Sequence, residues 1–257
     1  MNEIPKHIEH IFKRKRTKYC IVIPVINEGE RIINQLKLLK KISFEFDIII
    51  ADGGSNDGSL KSDFLIKSNV RALLIKTDTG GLSSQLRIAY KFVLKENYNG
   101  VITIDGNGKD SIDSIYEFRK FLDRGYDMIQ GSRFIKGGKA INTPIFRYLA
   151  IRLIHAPMIS LISGFKFTDT TNGFRGYSRS YLSHPKVLPF RSVFKSYELL
   201  AYLSVKAPKL KLKTCEIPVT RAYPSKGKTP TKISPIFGNI KLILILFNLL
   251  IGRYNVR

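Results

Sequence analysis

The chain has 257 residues, enough for one large α/β domain, and its 43 Lys and Arg against 20 Asp and Glu give a formal charge of +23. That excess implies an anionic partner: nucleic acid, an acidic membrane surface or a phosphorylated substrate. No zinc, helix-turn-helix or ribonucleoprotein signature accompanies it, which argues against a nucleic-acid module, and two cysteines, Cys20 and Cys215, exclude a disulfide framework.

The basic residues are densest at Lys6–Lys18, and no apolar run follows them, so a secretory signal is not expected and the chain reads as cytosolic-side. Tyr19 to Pro24 reads as a first strand followed by a loop, with Asn27 as a helix cap and Glu28 and Glu30 in the first turn of the helix that follows. Ile32, Ile33, Leu36 and Leu39 recur at helical spacing. Phe46 to Asp52 is a second strand, Val70 to Ile75 a third, and Ser83 to Lys95 a helix. Gly100 to Asp110 is an apolar strand ending in an acidic turn, and Asp127 to Phe134 a further strand. Strands alternating with helices predict a mostly parallel, doubly wound sheet. In the second half, Ile145 to Phe165 is long and apolar but interrupted by Arg147, Arg152, His155 and Pro157. It reads as too polar to span a bilayer, which takes about 20 predominantly apolar residues. Leu212 to Thr220 is a strand, and a Pro-, Lys- and Gly-rich loop runs on to Pro235. The last apolar segment, from Ile236, reads either as an interfacial helix or as a core helix docked on the domain.

The most informative segment is IIIADGGSNDGS, Ile48 to Ser59. A run of apolar residues stops at Asp52 and a glycine-rich turn, and in an open α/β sheet ligands bind outside the carboxyl ends of strands. Asp52 can accept hydrogen bonds from a ribose or a base, and Gly53 permits close backbone approach. The alternative is an ordinary strand-to-helix turn with Ser55 or Asp57 as the cap.

Six segments in order then resemble the family 2 glycosyltransferases of GT-A fold, in particular the branch acting on dolichol and polyprenyl phosphates. They are IVIPVINEGERI, IIIADGGSNDGS, VITIDGNGKD, MIQGSRF, TDTTNGFRGYSRSYL and CEIPVTRAYPSKGKT, spanning Tyr19 to Lys232. The resemblance implies a GT-A (Rossmann-like) domain over residues 19–235, with a basic extension over 1–18 and an amphipathic helix and tail over 236–257. It implies an inverting enzyme that takes a sugar from a nucleotide-diphosphate sugar to a polyprenyl phosphate or a lipid-linked glycan. Such an enzyme would sit peripherally on the anionic cytosolic membrane face, in polysaccharide or glycoconjugate synthesis, with no nucleic-acid partner. By similarity, Pro24, Glu28, Asp52 and Gly53 line the nucleoside pocket, although Glu28 also reads as a first-turn helix carboxylate.

VITIDGNGKD occupies the place of the family's DXD motif and implies a Mg²⁺ or Mn²⁺ ion on Asp105, Asn107 and Asp110, hard oxygen ligands suited to a diphosphate. The second acid of that motif is Asn107 in this chain, which weakens the site, and Lys109 can partly replace the metal by touching the diphosphate. A solvated Gly/Asn turn is the bland reading, and a weakened or non-catalytic homologue follows from it. Arg133 and Arg175 offer forks matched to phosphate oxygens, with Arg147, Arg221, Lys226 and Lys228 as further cations around the cleft. Asp169 is a general base if the acceptor is a hydroxyl; if the acceptor is a lipid phosphate it orients Arg175 or the substrate, and a helix-capping role is the alternative. His155 and His184 read as a helix-face and a loop histidine without a catalytic role. A nucleotidyltransferase is disfavoured because Asn27, Glu28 and Gly29 stand where a Gly-rich phosphate loop with Lys would be.

Overall fold

The computed structural model describes residues 3–225 and 237–255. In chain order the elements are β1 (His7–Ile11), β2 (Tyr19–Val25), α1 (Glu30–Leu39), β3 (Asp47–Asp52), α2 (Ser62–Lys67), β4 (Val70–Lys76), α3 (Leu82–Lys95), β5 (Gly100–Thr103), α4 (Ile115–Asp123), β6 (Met128–Ser132) and β7 (Lys139–Ile141). They continue as α5 (Ile145–Ala150), a π-helical stretch (Ile151–His155), α6 (Ala156–Ser163), β8 (Arg175–Ser178), α7 (Arg179–Ser183), α8 (Glu198–Lys209), β9 (Thr214–Pro218), β10 (Thr220–Ala222) and α9 (Phe237–Leu250).

Eight strands form one mixed sheet in the order β1-β4-β3-β2-β5-β8-β6-β9. The pairs among β2, β3, β4 and β5 are parallel, as is β6 with β9. Alternate residues of each central strand go to opposite faces, so the sheet carries two cores. On one face Val22, Ile49, Ala51 and Leu74 pack with residues of α3 and α8; on the other Ile21, Ile23, Ile48 and Ile50 pack with α1 and α4. Burial on both faces explains the near-continuous apolar runs in β2 and β3.

Four strands, β1, β7, β8 and β10, were not foreseen. β1, within the basic stretch expected to precede the domain, adds antiparallel to β4 as an edge strand, His7 opposite Lys76. Its polar alternation on a solvated edge gives little apolar signal. β8 inserts antiparallel between β5 and β6, and β10 pairs in parallel with β7 in a separate two-stranded ribbon. β8 and β10 lie in short, Arg-bearing segments and β7 in one of three residues, and their pairing is set by long-range contacts.

Asn27 does not cap α1. The helix begins at Glu30 behind Gly29, and Asn27 sits at φ 47 with its carboxamide oxygen accepting the Asn56 N–H at 2.8 Å. Neither Ser55 nor Asp57 caps α2, whose N-cap is Lys61. Cys20 is buried and Cys215 half-buried, both as free thiols.

The helix through Ile145–Ser163 is, contrary to the sequence expectation, long and apolar enough by length and composition to cross a membrane, with 17% of its apolar window buried. Its four interrupting residues are too few to lower its apolar character below that of a span. α6 packs on α8 and α9, while Phe146, Leu153 and Leu161 are exposed at 84%, 70% and 79%. α9 is docked on the domain along one side, as the core-helix reading has it. Ile245, Leu246 and Leu249 dock on the domain, and Ile243, Leu244 and Phe247 on its other side remain exposed.

Candidate active site

The parallel register sets Val25 of β2 opposite Asp52 of β3, so two strand-end loops leave the sheet side by side. Hydrogen bonds lace them together: Asn27 N–H to Ser55 Oγ at 3.0 Å and Gly29 N–H to Asp57 Oδ2 at 2.8 Å. Asp52 is buried, and its Oδ1 accepts from the Ser55 hydroxyl at 2.6 Å and the Ser55 N–H at 3.0 Å. Those bonds fix the carboxylate's orientation and leave acceptor capacity on both oxygens. Gly53 donates its N–H to Val25 O at 2.8 Å, and a Cβ there would lie 2.8 Å from Gln85 Nε2. Gln85, which no sequence motif marked, donates from α3 to Val25 O at 2.8 Å and Ala51 O at 3.0 Å, sealing the floor of the cleft. Glu28 stands on the first loop in an ion pair with Arg31 at 2.9 Å. Pro24, Glu28, Asp52 and Gly53 thus gather at one carboxyl edge of the sheet.

β5 pairs with the other side of β2 and delivers Asp105 next to that edge; a Cβ on Gly106 would lie 3.0 Å from Pro24 O. The Asp105 turn is held by Gln35 of α1, whose Nε2 donates to Asp105 O and whose Oε1 accepts the Gly108 N–H, each at 3.0 Å. Asn107 donates to Asp105 Oδ2 at 3.4 Å and accepts the Lys109 N–H at 3.3 Å. Asp105 Oδ1 lies over Gly173, where a Cβ would approach it to 2.2 Å, so only glycine fits beneath this carboxylate.

Arg221 of β10 dominates this end. Its Nη2 donates to Asp105 Oδ2 at 2.7 Å and its Nη1 to Asp110 Oδ2 at 2.5 Å and Asn172 Oδ1 at 3.2 Å. Burial pushes the Asp105 carboxyl up, but Arg221 outweighs it and holds the group below its usual range. For Asp110 burial prevails and the carboxyl is raised. Asp110 Oδ1 is buried without a hydrogen-bond partner. Asp105, Asn107 and Asp110 were expected to ligate a divalent ion, yet as arranged they do not fit one: a guanidinium spans the two carboxylates, and Asp110's remaining oxygen is enclosed. Among the described residues, no group of three or more His, Cys, Asp and Glu side chains is placed to hold a metal.

Around Arg221 lies a cationic cluster with Tyr223 at its centre. Lys109 Nζ stands 4.8 Å from the Tyr223 ring centroid, and Arg147 Nη1 donates to the Tyr223 hydroxyl at 3.0 Å. Burial, then the charge of Arg221, pushes the Lys109 ammonium down to about 8. Burial alone would raise the Tyr223 phenol, but Arg221, Arg147 and Lys109 lower it. Sequence reasoning named Arg221 and Arg147 only as secondary cations and missed Tyr223; its adjacency to Arg221 in RAY was the available signal. Lys226 and Lys228 lie outside the described residues.

Asp169 and Arg133 form a buried pair. Arg133 Nε and Nη2 donate to Asp169 Oδ2 and Oδ1 at 2.6 and 2.8 Å, and the Arg133 N–H adds a third bond at 3.2 Å. The reading of Asp169 as an open general base therefore gives way to that of a bidentate counter-ion, and its partner is Arg133 rather than Arg175. Glu216 of β9 pins the same loop by accepting the Thr168 and Asp169 N–H groups at 2.9 and 3.0 Å. Arg175 is buried and spends its fork internally, on the carbonyls of Asn172, Leu200 and Thr170 and on Ser204 Oγ. It braces the fold and is not placed as a phosphate ligand. The His155 ring meets Thr170 Oγ1 at 2.7 Å and the His184 ring accepts the Lys186 N–H at 3.1 Å, both local contacts.

A mixed α/β sheet whose strand ends present an acidic edge beside a cationic cluster has the form of a GT-A fold. Residues 20–184 match the family described as Glycosyl transferase family 2, and the chain belongs to it. It is 24% identical to the Polyprenol monophosphomannose synthase of Mycolicibacterium smegmatis over 172 residues, 66% of this chain and 64% of that protein, and so spans just under two thirds of that relative's length. It is 25% identical to the Undecaprenyl-phosphate mannosyltransferase of Micrococcus luteus over 206 residues, 77% of this chain and 81% of that one. The fold is shared with glucosyl-3-phosphoglycerate synthase from Mycobacterium tuberculosis, crystallised with Mg²⁺ and uridine diphosphate, at TM-score 0.65 and 14% identity over 91% of this chain and 79% of that chain.

Proposed function

We propose that this glycosyltransferase moves a sugar from a nucleotide-diphosphate sugar to a polyprenyl phosphate at the cytosolic face of a membrane. The observation that carries the choice of acceptor is the Arg133–Asp169 pair, in which both carboxylate oxygens are engaged by one buried guanidinium. A sugar hydroxyl needs a base to remove its proton, whereas a lipid phosphate arrives as an anion and needs none. In the proposed reaction a phosphate oxygen of the acceptor attacks the anomeric carbon. The bond from that carbon to the donor's diphosphate oxygen breaks, and the nucleoside diphosphate departs with the electron pair. Asp52, Gly53, Pro24 and Glu28 bind the nucleoside, and Lys109, Arg147 and Arg221 stabilise the charge on the leaving diphosphate. Names of the curated relatives, both polyprenol-linked mannosyl transferases, support this substrate class.

Exposed apolar side chains of α5, the π-helical stretch, α6 and α9, among them Phe146, Leu153, Leu161 and Phe247, support docking on lipid, with the overall positive charge favouring an anionic surface. The test is to incubate the protein with labelled UDP-, GDP- and dTDP-sugars and either undecaprenyl phosphate or a lipid-linked glycan. The expected product is a polyprenyl-phosphate sugar from one donor. Transfer to the glycan alone would refute the proposed acceptor. Vesicle flotation of Phe146→Ser and Phe247→Ser variants is expected to show reduced binding without loss of fold.

A further inference from the structure

Glucosyl-3-phosphoglycerate synthase, which shares this fold, was crystallised with uridine diphosphate and Mg²⁺, yet in this chain the space between the two candidate carboxylates is filled by a protein cation. We infer that Arg221 is a built-in counter-cation for Asp105 and Asp110, so that the site takes a nucleoside diphosphate on protein cations without a divalent ion bridging carboxylate and phosphate. The inference rests on the donor class proposed above and specifies how that donor is held.

Three observations support it. Arg221 is buried and reaches both carboxylates with separate nitrogens, at 2.7 and 2.5 Å, so the guanidinium holds the position between the two acids that a bridging metal would need. Breaking such a pair would leave the buried Asp110 carboxylate uncompensated, which opposes displacement of the guanidinium by an entering ion. The backbone adds a second tie: Asp110 and Arg221 form an antiparallel bridge, and the Ala222 N–H donates to Lys109 O at 2.9 Å, so β10 holds Arg221 against the acidic turn independently of the side-chain pair. Finally, the cluster already balances. Lys109 and Arg221 match the charges of Asp105 and Asp110, and Arg147 adds a further positive charge at Tyr223. A dianionic phosphate group entering beside it meets an excess of protein cations, the task otherwise given to a metal. Asn107 replacing an acid agrees with this arrangement, since a second open carboxylate would weaken it.

Calorimetric titration of uridine, guanosine and thymidine diphosphates into the full chain, once with chelator and once with Mn²⁺, tests the inference without relying on turnover. The expected result is that the nucleotide that binds does so with affinities within about fivefold of each other in the two conditions. Loss of more than about fivefold on chelation would overturn the inference while leaving the donor class intact. If no nucleoside diphosphate binds in either condition, the proposed function itself falls. In Arg221→Gln the carboxylates are released, and binding is expected to weaken more than about tenfold in chelator and to be partly restored by Mn²⁺. Arg221→Lys keeps a charge but cannot bridge both acids, and is expected to show the same gain of Mn²⁺ response in a better-folded protein. Absence of that gain in both variants would also overturn the inference.

Discussion

The two ends of the cleft are built on opposite principles. At the proposed nucleoside end, parallel strands β2 and β3 stop together, and short-range bonds such as Ser55 to Asp52 shape the loops. At the proposed phosphate end, Asp105 and Asp110 meet Arg221, Asp169 meets Arg133, and Gly173 makes room for Asp105, all across long stretches of chain. The first end is built mainly by neighbouring strand-end loops, tied by bonds such as Gly29 N–H to Asp57 and braced by Gln85 of α3. The second is an assembly of buried charges, each stable only while its partners are present.

Removing a buried partner at the phosphate end separates the two regimes most sharply. Asp169→Asn leaves Arg133 buried without its counter-ion and is expected to cost about 3–5 kcal/mol of stability, read by urea unfolding. Unchanged stability with collapsed turnover would instead restore a catalytic-base role. Gly173→Ala forces the Asp105 carboxylate aside and is expected to cost about 1–3 kcal/mol, with weaker nucleoside diphosphate binding by calorimetry.

Lys109 gives a pH-dependent case. Its ammonium falls from 10.5 to about 8 in the fold, so between these values the folded chain binds fewer protons than the unfolded one. The buried charge therefore opposes folding below pH 8, and the penalty fades as the pH rises towards 10.5. Lys109→Met is expected to gain about 1–2 kcal/mol at neutral pH, less at alkaline pH, while binding diphosphate more weakly. The smallest effect belongs to the nucleoside end. Asp52→Ala loses the Ser55 bonds at a cost of about 1 kcal/mol, so weakened nucleoside binding in an otherwise stable protein is expected there.

Much of the nucleoside end was legible in the chain. The all-buried runs of β2 and β3 and the polar turn after Asp52 carry their meaning locally, because strand burial and turn chemistry are written over a few residues. The same local logic misassigned Asn27 as a cap and offered Asp57 as an alternative one, whereas both side chains bond across to the neighbouring loop. Arg133, Arg175 and Asp169 were found as residues but not as partners. Their sequence motifs look alike as free cations and acids, and only burial distinguishes the Arg175 brace from the Arg133 ion pair.

By itself, the sequence determined the α/β alternation, the family, the strand-end position of Asp52 and an appetite for anions, because these depend on composition, periodicity and motif order. Tertiary structure alone decided which charge meets which. Arg221 and Asp105 are 116 residues apart in the chain and 2.7 Å apart in the fold, a juxtaposition created by sheet topology and the β7–β10 ribbon. Electrostatic interaction depends on distance and dielectric, and neither exists until the chain has folded.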